Sequence, residues 1–291
     1  MEKARDRIFA YAHKCRSAIH TARLLGFWTV LVCSWPALVH ASLPLETETA
    51  RLMAKGAFEF NTAFEYQTSK DGKEYALPMM LEYGVTDKLT LLVEPVFYTS
   101  IRPSSGDSAT GIGDVEGTLQ YLFLTETHSR PAMAVAVEIK FPTAKNTLIG
   151  TGKYDYTLYL IASKRFGDFD LHANLGYTFI GKPDGVSVKN TFDYAVAAEW
   201  FANKKWDIVA EVYGNTSAIK NTGEANQEQP GMMRRAPFGP ENPITPEIAG
   251  SETVGTIGFR YHATDAVALS LGLSYDSNQA KLISLGITVK F

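Results

Sequence analysis

The stretch that decides the fold is Lys281-Leu282-Ile283-Ser284-Leu285-Gly286-Ile287-Thr288-Val289-Lys290-Phe291. Successive side chains of an extended chain point to opposite faces. Ile283, Leu285, Ile287, Val289 and Phe291 therefore form one row, and Leu282, Ser284, Gly286, Thr288 and Lys290 the other. One row is apolar throughout and the other is mostly small or polar. The preceding stretch repeats the pattern, with Val267, Leu269, Leu271, Leu273 and Tyr275 against Ala268, Ser270, Gly272, Ser274 and Asp276. It returns in Phe169, Leu171, Ala173, Leu175, Tyr177 and Phe179 against Asp170, His172, Asn174, Gly176 and Thr178, and again over residues 133–141.

Working outward, twelve runs of period two are found, at 55–66, 73–85, 89–100, 112–124, 131–142, 154–166, 168–181, 190–201, 204–216, 251–262, 266–276 and 280–291. Each is near the roughly 9–11 residues that a tilted strand needs to cross a bilayer. Tyr159 and Ile161 blur the alternation in the sixth run, and Gly255 and Gly258 dilute it in the tenth. Connections alternate in length. Thr86-Asp87-Lys88, Gly167-Asp168, Asn203-Lys204 and Ala263-Thr264-Asp265 are tight, and 125–130 is modest. The polar stretches 101–111, 143–153, 182–189 and 217–250 are longer. Short turns at one end and longer loops at the other, with an even strand number, describe a transmembrane antiparallel up-and-down β-barrel. Aromatics near the ends of the apolar rows, such as Tyr83, Phe97, Phe169, Trp200 and Trp206, fit the two interfacial belts of such a barrel. A soluble β-sandwich is the competing architecture from alternation alone.

The first 41 residues have another character. Lys3, Arg5, Arg7, Lys14, Arg16 and Arg23 precede an apolar run from Leu24 to Val39 that Pro36 interrupts, and Val39-His40-Ala41 precedes Ser42. Basic region, apolar region and small residues at −1 and −3 describe a secretory signal peptide, so residues 1–41 are expected to be removed near Ala41. Both cysteines, Cys15 and Cys33, fall in that segment. A thiol-free mature chain suits an oxidising compartment and excludes disulfide frameworks and thiolate metal sites. The signal also carries off a basic excess, so the mature chain is more acidic than the full-length net charge of −3. An acidic chain without a basic cluster does not point to nucleic acid. Residues 42–54 are expected to be a short periplasmic segment, too brief for a plug domain, ahead of a barrel over 55–291.

Several central motifs resemble the phenol-degradation meta-pathway outer-membrane proteins, a "transporter"-type barrel family. They are Gly111-Ile112-Gly113-Asp114-Val115 with Gln120-Tyr121, Lys140-Phe141-Pro142-Thr143, Tyr154-Asp155-Tyr156, Ser163-Lys164-Arg165-Phe166 and Asn174-Leu175-Gly176-Tyr177. Ala144 stands where the family often has glycine. The resemblance implies a Gram-negative outer-membrane location and porin-like passage of small, often aromatic or apolar, compounds. It leaves the substrate open. Phe291 resembles the terminal aromatic signal read by the barrel-assembly machinery. The expected surroundings are outer-membrane lipid and lipopolysaccharide.

Lumen parity selects Glu94, Asp114, Glu116, Glu138, Lys140, Asp155, Arg165, Asp193, Glu211 and Arg260 as candidate lining residues. Such residues form either a polar conduit or a paired network that braces a filled barrel, because buried charge requires pairing. Arg234 and Arg235, in the long Pro-rich loop, are candidates for a constriction or lid. No cofactor or metal is called for. An enzyme is not expected: His128, His172 and His262 are the histidines after residue 41, and each falls at or near a short-turn end. The reading is thus a passive channel. A non-conducting structural or ligand-binding barrel is the first alternative, and an outer-membrane lipid hydrolase the second.

Overall fold

The computed structural model describes residues 43–183, 187–218 and 251–291. The expected signal peptide (1–41) and the loop residues Arg234 and Arg235 lie outside the described residues. Thirteen strands follow in order: β1 (Phe58–Thr68), β2 (Gly72–Thr86), β3 (Leu89–Pro103), β4 (Ala109–Gly111), β5 (Val115–Leu124), β6 (Ala132–Phe141), β7 (Asp155–Phe166), β8 (Phe169–Phe179), β9 (Thr191–Asn203), β10 (Trp206–Asn215), β11 (Glu252–His262), β12 (Val267–Asp276) and β13 (Lys281–Lys290). No helix occurs among the described residues.

Successive strands pair antiparallel, except that β4 and β5 both pair with β3, and β1 pairs β13 from Glu59↔Lys290 to Thr68↔Lys281. That last pairing closes the sheet into a barrel and removes its edges. The thirteen segments make twelve staves. Both β4 and β5 pair with β3 in one register, Thr99↔Gly111 and Pro95↔Val115, so they are one strand interrupted at 112–114. The break centres on Gly113, whose N–H still donates to Val96 O at 2.9 Å. A Cβ there would lie 2.7 Å from the Val96 Cβ, so glycine is required by close approach. In β2 the register shifts between Leu77 and Pro78, a bulge that accommodates a residue with no N–H to give the ladder.

The burial pattern is inverted relative to a soluble protein. Leu91, Phe123, Leu158, Leu175, Val196, Leu273 and Leu285 are exposed on the outside, while Glu59, Thr90, Glu138, Asp170, Glu199 and Asp207 are buried inside. Phe169 stacks on Trp200 and Trp206 tilts against Tyr261 at the short-turn end. Phe141, Tyr154 and Tyr156 form one aromatic group near the other end, and Tyr177, Phe179 and Phe192 a second. An apolar wall between aromatic belts fits a bilayer, where apolar rows lose nothing by facing out. The sandwich alternative is thereby excluded, since its apolar rows would face each other.

The sequence reading of residues 42–54 as a periplasmic segment needs correction. From Leu43 to Ala54 the described chain runs inside the barrel: Leu45, Thr47, Thr49, Ala50 and Met53 are all buried. Ala50 and Leu52 pack on an apolar patch made by Leu122, Ala132, Ala134, Ala136, Tyr159 and Ile161. This explains the blurred alternation of the sixth run. Tyr159 and Ile161 face the lumen in β7, where they meet protein and not water. The segment is short, but an extended chain rises about 3.3 Å per residue and a dozen residues suffice to cross a narrow barrel.

Candidate functional site

The lumen is built by the inward rows of twelve strands and by the segment that crosses it. That segment is tied to the wall mainly through backbone groups. Glu48 N–H donates to Asn174 Oδ1 (2.7 Å), and Asn174 Nδ2 donates back to Glu48 O (2.9 Å), so the side-chain amide mimics a ladder partner. Ala50 N–H donates to Ser163 Oγ at 2.8 Å, and Gln120 Nε2 donates to Thr49 O at 2.8 Å. Glu211 Oε2 accepts from the backbone N–H groups of Glu46 and Thr47 at 3.0 Å each and from Thr47 Oγ1 at 2.8 Å. Arg260 Nε donates to Leu43 O at 3.1 Å. An extended segment buried away from water must place its N–H and C=O groups on such partners.

Three glycines make room for its beginning. Gly258, Gly272 and Gly286 lie on the lumen rows of β11, β12 and β13. A Cβ on Gly258 or Gly272 would come within 2.4 or 2.8 Å of Pro44, and one on Gly286 within 2.9 Å of Leu43. The wall is thinned there by loss of side chains so that Leu43-Pro44 can lie against it.

At the short-turn end the segment is clamped by charge. The Arg51 guanidinium gives Nη1 and Nη2 to the two oxygens of Asp170 (2.7 and 2.8 Å) and Nε to Glu126 (2.8 Å). Beside it, Arg260 Nη1 lies 3.1 Å from Glu199 and 3.3 Å from Asp207, and His262 Nε2 lies 2.6 Å from Asp207. The Glu126 carboxyl, in a turn, is held below its usual range. Its burial opposes this, but the Arg165 N–H, Arg51 and Lys164 together prevail. Glu48, on the crossing segment, is pushed up to about 8, chiefly by burial and then by Glu59 and Glu46.

The candidate lining residues divide accordingly. Glu94, Asp114, Glu116, Glu138, Lys140, Asp155, Asp193, Glu211 and Arg260 are buried on the inner wall. Lys140 Nζ bridges Asp155 at 2.5 Å and Asp114 at 4.0 Å. Asp114 also caps the turn after β6 by accepting from Ala144 N–H (2.8 Å), and Asp155 accepts from Gly181 N–H (2.7 Å). Asp193 accepts from Thr178 Oγ1 at 2.7 Å. Arg165 is a correction. Its parity is that of the lumen row, but it lies at the end of β7, with 43% of its side chain exposed and its guanidinium 3.7 Å from the Phe201 ring centroid. Parity fixes a face and not a height, and beyond the last ladder pairs a long side chain turns to the rim.

Sequence reasoning missed Gln120, Ser163 and Asn174 as a set. They carry no charge, so a search for ionisable groups passes over them. A signal was present all the same: each belongs to a motif on which the family resemblance rests. Ser163 Oγ also lies 2.8 Å from His172 Nδ1, and His172 Nε2 lies 3.7 Å from Glu199. The arrangement resembles a nucleophile–base pair. Here Ser163 Oγ also accepts from Ala50 N–H and faces Thr49 Oγ1 at 3.2 Å, and so it holds the segment in place.

Comparison with known proteins follows this geometry. Residues 99–233 match the family described as "Putative MetA-pathway of phenol degradation". The resemblance read from the motifs holds. The matched region takes in the motifs around Gly113, Phe141, Tyr154, Ser163 and Asn174, and with them the three amide and hydroxyl groups that anchor the segment. Among solved structures, an outer-membrane channel from Pseudomonas putida F1 superposes with a TM-score of 0.58 at 15% identity, covering 89% of this chain and all of that one. The NanC porin superposes with a TM-score of 0.52 at 10% identity, covering 80% of this chain and all of that one. At such identities the likeness is one of fold. No curated protein matches the chain in sequence.

Proposed function

We propose that the chain is a non-enzymatic outer-membrane channel through which small molecules pass down their gradient, apolar or aromatic compounds among them. The observation that carries this reading is the closed twelve-stave wall with an apolar exterior and a polar inner row. The family description and the channels of like fold support the same reading. The short turns face the periplasm in this view, the long loops face outward, lipid and lipopolysaccharide cover the apolar rows, and Phe291 serves assembly. The charged inner wall, acidic in excess, disfavours anions.

The crossing segment favours a narrow resting passage, and it also gives the non-conducting reading a specific support. One experiment separates them: single-channel recording of the mature chain in a planar bilayer, beside forms lacking residues 43–52 or residues 220–247. Discrete ohmic steps that grow on removal of residues 43–52 are expected, with faster entry of small neutral aromatics into liposomes. Silence in all three forms would sink the channel and leave a binding or structural barrel. Release of fatty acid from outer-membrane phospholipid, abolished by Ser163→Ala, would instead establish the hydrolase.

A further inference from the structure

Several lumen carboxylates face a cation: Glu199 and Asp207 face Arg260, Asp170 faces Arg51, and Asp155 and Asp114 face Lys140. Three others converge. Glu94 on β3, Glu116 on β5 and Glu138 on β6 each offer a carboxylate oxygen, and the three oxygens lie within 4.8 Å of one another. The strand registers create the group. Glu94 pairs directly with Glu116, and Glu138 pairs with Thr118, two residues along the same row. Their exposures are 0%, 1% and 4%. Glu94 is the informative member, for neither of its carboxylate oxygens has a hydrogen-bond partner. A fully buried carboxylate without a donor is costly, and the cost is relieved by protonation or by a cation.

We propose that Glu94, Glu116 and Glu138 form a calcium site on the lumen wall. Calcium takes six to eight oxygen ligands at about 2.3–2.6 Å in flexible geometry, whereas magnesium demands near-ideal octahedral geometry at about 2.0–2.1 Å and dehydrates reluctantly, so a carboxylate group set by the stagger of three strands suits calcium. Three carboxylates are hard, anionic ligands of the kind calcium prefers over softer metals. The site stands whether or not the barrel conducts, and its test reads binding and not passage.

The test is equilibrium binding of radioactive calcium to the chelator-stripped mature chain in detergent, with magnesium as competitor. Folding is checked by the heat-dependent gel mobility of the barrel. One equivalent per chain is expected, with Kd of about 10⁻⁴–10⁻³ M, and with magnesium at least about tenfold weaker. Glu94→Gln and Glu138→Gln should each weaken calcium by about tenfold or more, while Glu74→Gln, which alters a buried carboxylate elsewhere on β2, leaves it unchanged. Calcium should also raise the unfolding temperature of the unaltered chain, which keeps the idea testable if a variant does not fold. No saturable binding and no such rise would overturn it, and so would folded Glu94→Gln that binds calcium like the parent.

Discussion

Arg51→Ala provides the sharpest test of the crossing segment. The guanidinium makes a two-pronged contact with Asp170, whose side chain is 4% exposed, and a third contact with Glu126, which is 20% exposed. Removing one partner of a fully buried pair costs about 3–5 kcal/mol, because the other charge is left uncompensated. Arg51 is itself 24% exposed, and Arg165 Nη1 remains 3.9 Å from Asp170, so a value near 2–3 kcal/mol is appropriate here. At about 1.4 kcal/mol per decade, the population with the segment unseated should rise roughly 30- to 140-fold. A reporter is available because both cysteines fall within the expected signal, leaving the mature chain free of thiols. Thr49 is 4% exposed beneath the segment's own fold, so Thr49→Cys reacts with a maleimide when the segment leaves the wall. If reclosing is faster than reaction, the labelling rate follows that population. Arg51→Ala should accelerate labelling by the factor above. An acceleration below about threefold would refute the claim that the ion cluster holds the segment.

Two further outcomes follow from the same geometry. Glu48 has a seated pKa of about 8 against an ordinary 4.5, so seating is favoured in full below about 4.5, weakens as pH rises, and loses this contribution above about 8. Thr49→Cys labelling, normalised to an exposed cysteine, should therefore climb across that window and become flat in Glu48→Gln; equal slopes would dismiss Glu48 as the cause. Gly272→Val puts a branched side chain where a Cβ already lies 2.8 Å from Pro44, whereas Gly255→Val meets nothing within 4 Å. The first should unseat Leu43-Pro44 at a cost of about 1–3 kcal/mol and speed labelling, and the second should leave labelling unchanged; the reverse order would show that Pro44 does not rest on β12.

The fold was legible because a lipid-facing strand must satisfy its backbone across the sheet and its side chains with two unlike solvents. Both requirements are local and periodic. Residues 283–291, 267–276 and 169–179 carry the alternation without exception, and the tight turns at 86–88 and 167–168 fix which strands are neighbours. The interruption at 112–114 was half visible. Gly113 announced a special backbone, but its need for close approach to Val96 depends on the facing strand.

The inner wall shows the limit of that legibility. Parity alone placed Glu94, Glu116 and Glu138 on the lumen face, but their convergence depends on the stagger of three strands. Arg165 shares the parity and still lies at the rim. The role of residues 43–54 was not readable from their own composition, since a short stretch with no periodic pattern looks the same in the periplasm and in a lumen. Its traces were scattered along the chain: Gln120, Ser163, Asn174 and Glu211 as polar partners, Tyr159 and Ile161 as an apolar seat, and Gly258, Gly272 and Gly286 as a cleared space. The sequence by itself determined the wall, because a strand's two faces are set by a period of two residues. The tertiary structure alone decided what fills the wall, because the contacts of the crossing segment join residues from 71 to 217 positions apart, and no local period records them.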